Sequence, residues 1–188
     1  MNMPEPIKIV PYNKDWPQLY EKEKTRILDA VGQKLVAIEH IGSTAVSGLC
    51  SKPIIDLLAA VEDISDFKEC IEPLGSLGYE YHYWPEFPDR CVFLDGPIGE
   101  GPHHLHMTQF ESEFWQDKLL FRDFLRRHPD LSQEYGQLKQ VWANEFGVDR
   151  DKYEAYTQAK TPFIERVLAR ARMEGLTNGC MRRRTRRA

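Results

Sequence analysis

Apolar residues recur along this chain in two rhythms, and the change from one to the other sets out the elements. After Asp15, read as an N-cap, with Pro17 tolerated in a first helical turn, Leu19, Tyr20, Glu23, Ile27 and Val31 follow at helical spacing and predict a helix. Lys34–Ile41 is β-branched and near-alternating, which predicts a strand. Gly42–Ser51 is small, polar and glycine-rich, a turn with room for a short helical turn. Lys52–Val61 is an apolar run broken only by Asp56, the pattern of a strand covered on both faces. Asp63–Leu77 reads as an indifferent helix weakened by Pro73 and stopped at Gly78. Three short strands are expected at Tyr79–Trp84, Cys91–Leu94 and His103–Phe110, set apart by turn-rich WPEFPDR and DGPIGEGP. Helical periodicity then returns over Ser112–Arg127, Leu131–Phe146 and Asp151–Met173, with Pro129 and Gly147 as stops. The expected class is α+β: a mixed sheet of about five strands, an N-terminal helix and a C-terminal helical cap.

At 188 residues the chain makes one domain, taken as residues 1–174, and a chain of this length buries about 70% of its unfolded surface without staples. The net charge is −4, but Arg182, Arg183, Arg184, Arg186 and Arg187 crowd into residues 175–188, and without them the balance is −9. An acidic body speaks against nucleic acid as a partner. The basic tail reads as a solvated, disordered end or as a contact for nucleic acid or acidic membrane. No apolar run approaches the roughly 20 residues needed to span a bilayer, and the N-terminus lacks signal-peptide character. A cytoplasmic location is expected. Cys50, Cys70, Cys91 and Cys180 have neither CxxC nor zinc spacing and read as reduced thiols, three of them buried.

Three groups of residues carry candidate chemistry. Gly42-Ser43-Thr44 follows a strand and offers close backbone approach, hydroxyls and free N–H groups, a cradle for phosphate oxygens. The loop leads back into Lys52-Pro53-Ile54-Ile55-Asp56, where a carboxylate inside an apolar strand must face a cleft, a cation or a cluster of donors, or else tie down the Gly42 loop. In His103-His104-Leu105-His106, strand alternation puts His104 and His106 on one face and His103 on the other. Such a pair can share a metal, bind an anion, relay a proton or merely meet solvent. Arg90, Arg122, Lys139 and Lys160 are dispersed cations suited to phosphate or carboxylate oxygens. Each could equally serve a helix surface; Arg122 has Asp123 beside it, expected on another face.

Together EHIGSTAVSGLCSKPIIDLL, LGYEY, PDRCVF, HHLHM, FRDFLR, YGQLK and the helix Tyr153–Lys160 resemble the GrpB family, over about Val10 to Ala171. That family is placed in the nucleotidyltransferase superfamily and is sometimes fused to dephospho-CoA kinase. The resemblance implies a site in which Gly42 and Ser43 hold a triphosphate and acids on the next strand hold Mg²⁺. It also implies a nucleotide or other phosphorylated small molecule as ligand and transfer of a nucleotidyl group as the reaction. Of the superfamily's two acids one residue apart, Asp56 keeps the first position and Leu58 occupies the second, with Asp95 or Glu39 as sources of a third. Asp56, His104 and His106 then become the candidate catalytic and metal-ligating set, for Mg, Mn or Zn, with Ser43, Thr44, Lys52, Arg90, Arg122, Lys139 and Lys160 on the substrate. The alternatives are a degenerate member that binds its ligand without transfer, and a scaffold acting beside a coenzyme A enzyme.

Overall fold

A computed structural model describes residues 7–97, 101–146 and 153–175. Helix α1 (Trp16–Val31) starts with Pro17 in its first turn, where a missing N–H costs nothing. Asp15 stands at the N-cap position with helical backbone angles and makes no capping bond; its own N–H is held by Asn13 Oδ1 at 2.9 Å. The buried stripe is Trp16, Tyr20, Glu23, Ile27 and Val31, while Leu19, expected on that stripe, faces out. The strand expected from Lys34 begins later, as β1 (Ala37–Ile41), because Gly32–Lys34 closes a 3₁₀ turn. The glycine-rich loop holds a short 3₁₀ turn, Ser43–Ala45, and β2 (Ile55–Val61) follows.

The 63–77 segment is two pieces. Asp63 and Asp66 form a capping box that starts a 3₁₀ stretch, Ile64–Cys70, and α2 (Ile71–Ser76) continues it. Strands β3 (Tyr79–His82), β4 (Arg90–Asp95) and β5 (His103–Gln109) complete one sheet in the order β1-β2-β5-β4-β3. Only the central β2–β5 pair is parallel; its register sets Asp56 beside His104 and Leu58 beside His106. The odd positions of β2 and β5 (Ile55, Leu57, Ala59, Val61, Leu105, Met107) join Trp16, Ile27 and Phe93 in a core beneath α1 and α2. Leu58 and Ala60 face the other way, onto Trp115 and Leu119 of α3 (Glu113–Arg127). A strand covered on both faces was the expectation for β2, and that is its situation.

The helical cap consists of α3, α4 (Pro129–Phe146), α5 (Tyr153–Gln158) and α6 (Thr161–Met173). Ser112 Oγ caps α3 by accepting from Trp115 N at 3.2 Å. Where one helix was expected over 151–173 there are two. Pro162, in the first turn of α6, has no N–H to offer a preceding carbonyl, so the helix restarts there and Lys160 falls at the corner. Val46, Leu49, Phe124, Tyr135, Phe163 and Val167 form the core of this half, binding the cap to the Gly42–Ser51 loop. Among the described residues no helix is long and apolar enough to cross a membrane. Cys70 and Cys91 are buried and Cys50 is half-buried, all three as free thiols. Cys180 and the arginine-rich tail beyond Gly175 lie outside the described residues, as do Gly147 and Asp151.

Candidate functional site

Strand alternation and the parallel β2–β5 register bring the site together. Asp56 and His104 are register partners near the starts of β2 and β5, and both point to the α3 side; His106, two residues on, shares that face. Asp56 Oδ1 lies 3.5 Å from His104 Nδ1. At the end of β1, opposite Asp56, stands Gly42 with φ +71, and a Cβ there would sit 2.2 Å from Asp56 Oδ2. Glycine is therefore required twice over, for its backbone angle and for the space the carboxylate fills. The Asp56 side chain keeps 28% of its surface and opens onto a cavity of about 220 Å³.

Ser43, Lys52, His104, His106, Lys139 and Lys160 line that cavity with Asp56. It adjoins a wider cleft of about 670 Å³ through Ser43, Asp56, His106 and Lys160; Arg90, Lys118 and Phe114 are among the walls of the cleft. Lys139 is 3% exposed. Its ammonium donates to Ser43 Oγ at 2.8 Å and to the Cys50 carbonyl, above the Tyr135 ring at 4.8 Å. Lys160 lies 4.1 Å from the centre of the Tyr156 ring. Among the described residues neither lysine has a carboxylate within salt-bridge distance. Arg90 is held between Phe87 and Phe114, its guanidinium 4.1 and 4.2 Å from the two ring centres.

The electrostatics follow from this crowding. Burial pushes the Asp56 carboxyl up, but His104, then His106 and Lys52, outweigh it and hold the group ionised at about 2. Burial lowers His106 to about 3, so the imidazole is neutral at pH 7. It lowers Lys139 to about 8, and Lys160 to about 7 with help from Lys52, Lys139 and Lys118. Among the described residues His104 Nε2 and His106 Nδ1 are buried with no hydrogen-bond partner. Unpaired nitrogens and ammonium groups of this kind are costly in a packed interior, and here they share one opening.

A family model described as GrpB protein matches residues 6–170. The chain belongs to the GrpB family. It is 39% identical over 170 residues to a UPF0157 protein of Pseudomonas aeruginosa, covering 88% of this chain and 67% of that one. The crystal structure of conserved protein GrpB from Enterococcus faecalis superposes with a TM-score of 0.80 at 30% identity, over 90% of this chain and 99% of the other. A dephospho-CoA kinase of Mycolicibacterium paratuberculosis is 26% identical over 191 residues, which span 88% of this chain and 46% of that protein.

Not every residue expected at the GrpB site is found there. Gly42, Ser43, Lys52, Asp56, Arg90, His104, His106, Lys139 and Lys160 line the cavity or the cleft. Thr44 and Arg122 line neither. Thr44 is wholly buried, and its hydroxyl donates to the Ile54 carbonyl at 3.3 Å and meets His40 Nε2 at 3.0 Å, tying the loop to the sheet. Arg122, 8% exposed, spends its guanidinium on Glu39 (2.7 Å), the His40 carbonyl (2.9 Å) and Asp123 (2.8 Å). Asp123 was expected on another face from Arg122, but the long guanidinium arm reaches across the helix turn. Tyr135, Tyr156, Thr157 and Lys118 line the site without having been singled out from sequence. Tyr135-x₃-Lys139 and Tyr156-x₃-Lys160 share one spacing, which brings each ammonium to the ring four residues before it; that recurrence was the available signal.

The magnesium pair implied by the superfamily does not fit these residues. Leu58, at the second acid position, is fully buried against Trp115 and Leu119. Glu39 is bonded to Arg122, and Asp95 to His103 at 2.9 Å on the opposite face of the sheet. Among the described residues no group of three or more His, Cys, Asp or Glu side chains is arranged to hold a metal ion, the set Asp56, His104 and His106 included.

Proposed function

We propose that the cleft binds a phosphorylated small molecule of the nucleotide class, with its phosphates on Ser43, Lys52, Lys139 and Lys160. One observation carries this: among the described residues the buried Lys139 ammonium touches a hydroxyl and a carbonyl but no carboxylate. A buried cation with no carboxylate in contact is expensive, and a phosphate entering the cavity would supply a close counter-charge. The wider cleft, with Phe87, Phe114 and Phe121 in its walls, has room for the organic part of such a ligand.

A screen by thermal shift tests the proposal. Nucleoside triphosphates, dephospho-CoA and coenzyme A are the compounds to include, the last two because of the likeness to a dephospho-CoA kinase. A ligand at 100 times its dissociation constant stabilises the fold by about 2.7 kcal/mol. Lys139→Met is expected to abolish the shift; a shift that persists in the variant defeats the proposal.

Transfer of a nucleotidyl group is a second reading, favoured by the Asp56–His104 pair. The carboxylate faces Nδ1 and leaves Nε2, buried and unpartnered, to accept a proton from an attacking hydroxyl as its oxygen bonds to the α-phosphorus and pyrophosphate departs. Leu58 favours binding without transfer. Release of labelled pyrophosphate by the wild type, lost in His104→Gln, separates the two.

A further inference from the structure

We infer that this site grips a polyphosphate with its own ammonium groups and takes up no divalent cation. The inference rests on the proposal that the cleft binds phosphorylated small molecules, and it starts from the misfit between this acid set and a magnesium pair. A metal that bridges phosphates needs anionic oxygens from the protein as well. Among the described residues a single carboxylate, Asp56, faces the cavity, and a histidine already sits 3.5 Å from it. The other position is Leu58, inside an apolar cluster.

What a metal would supply is already built in. Lys52, Lys139 and Lys160 line the same cavity of about 220 Å³ as Asp56. Lys118 and Arg90 stand in the adjoining cleft, both against the Phe114 ring. Three acids, Asp89, Glu113 and Asp117, also line that cleft, and two of them are occupied: Asp89 with Arg90 at 3.3 Å and Asp117 with Arg172 at 2.5 Å. Three ammoniums around one carboxylate repel a dication and attract the oxygens a dication would otherwise neutralise. Lysine serves well here, since its ammonium is a point charge able to donate three ways. The ligand class that matches three ammonium-bearing side chains around one cavity carries two or more linked phosphates.

Titration calorimetry of the full chain with ATP, run once in EDTA and once in excess MgCl₂, tests this. The dissociation constant in EDTA is expected to equal that in magnesium within about threefold, or to be tighter, because magnesium shields the charges the lysines read. A constant at least about tenfold weaker in EDTA overturns the inference and leaves the binding proposal standing. Absence of binding in both buffers overturns the binding proposal, and the inference with it. AMP should bind at least about tenfold more weakly than ATP, and equal affinity for the two overturns the polyphosphate assignment. Lys160→Gln, at a half-buried corner, should weaken ATP binding in EDTA about tenfold; unchanged affinity in this variant contradicts the role given to the lysines.

Discussion

His103 and His104 are neighbours on β5, yet their surroundings differ in kind. His103 faces the α1 side, with Nδ1 2.9 Å from Asp95 Oδ2 and Nε2 3.8 Å from Glu23 Oε2. Glu23 in turn accepts from Arg26 at 2.7 Å and from the Tyr79 hydroxyl at 3.0 Å, so polar groups on that face answer one another. Across the sheet, His104 Nε2 and His106 Nδ1 have no partner, and Lys139 and Lys160 meet no carboxylate among the described residues. Both clusters are polar and partly buried, so burial alone does not distinguish a structural network from a binding site. Completeness does: a network that closes on itself holds the fold, and one left open on a cavity awaits a ligand.

Glu23→Ala should show the largest effect on stability. It leaves the Tyr79 hydroxyl and Nη1 of Arg26 without their acceptor and is expected to cost about 2–4 kcal/mol in urea unfolding, with the nucleotide-induced shift preserved. Loss of that shift at unchanged stability would undo the contrast between the two faces. Gly42→Ala should cost about 1–2 kcal/mol, since the residue has φ +71 and its new methyl meets Asp56, and it should weaken nucleotide binding as the carboxylate moves.

Acid and alkali should act on different properties. His40, stacked on Tyr20, and His106 are lowered by burial to about 4 and about 3, against 6.5 in the unfolded chain. Between those values the unfolded state binds more protons. The histidine contribution to stability should therefore be complete above pH 6.5 and fall below it, by at most about 1.4 kcal/mol per pH unit for each histidine. Binding should weaken in the other direction, as pH rises through 7 and Lys160 loses its proton; Lys52, Lys118 and Lys139 oppose that charge and Asp56 supports it. Denaturation curves and calorimetry between pH 5 and 9 would check both. Lys139→Met should have the smallest effect on stability, within about 1 kcal/mol, because an apolar side chain replaces a buried ammonium that touches no carboxylate among the described residues.

Much of this arrangement can be read in the chain. Asp56 betrays itself as one acid in an apolar strand, and the alternation in HHLH separates His103 from His104 and His106 before any coordinates are known. Position in a strand does not reveal partners. That Thr44 turns inward to Ile54 and His40, and that Arg122 is consumed by Glu39 and Asp123, depends on contacts between residues far apart in sequence. Lys139 and Lys160 reach the site only because the cap folds back over the sheet, and the break at Pro162 was masked by a strong helical period on either side of it. Leu58 was visible from the start. What it means for a metal became clear only with Glu39 and Asp95 seen bonded elsewhere.

The most direct test is a crystal structure of the full chain with a non-hydrolysable nucleoside triphosphate. Phosphate oxygens within hydrogen-bond distance of Lys139 Nζ, with Lys160 and Ser43 alongside, are the predicted result. A triphosphate bound elsewhere on the molecule, with Lys139 still confined to Ser43 and Cys50, would contradict it.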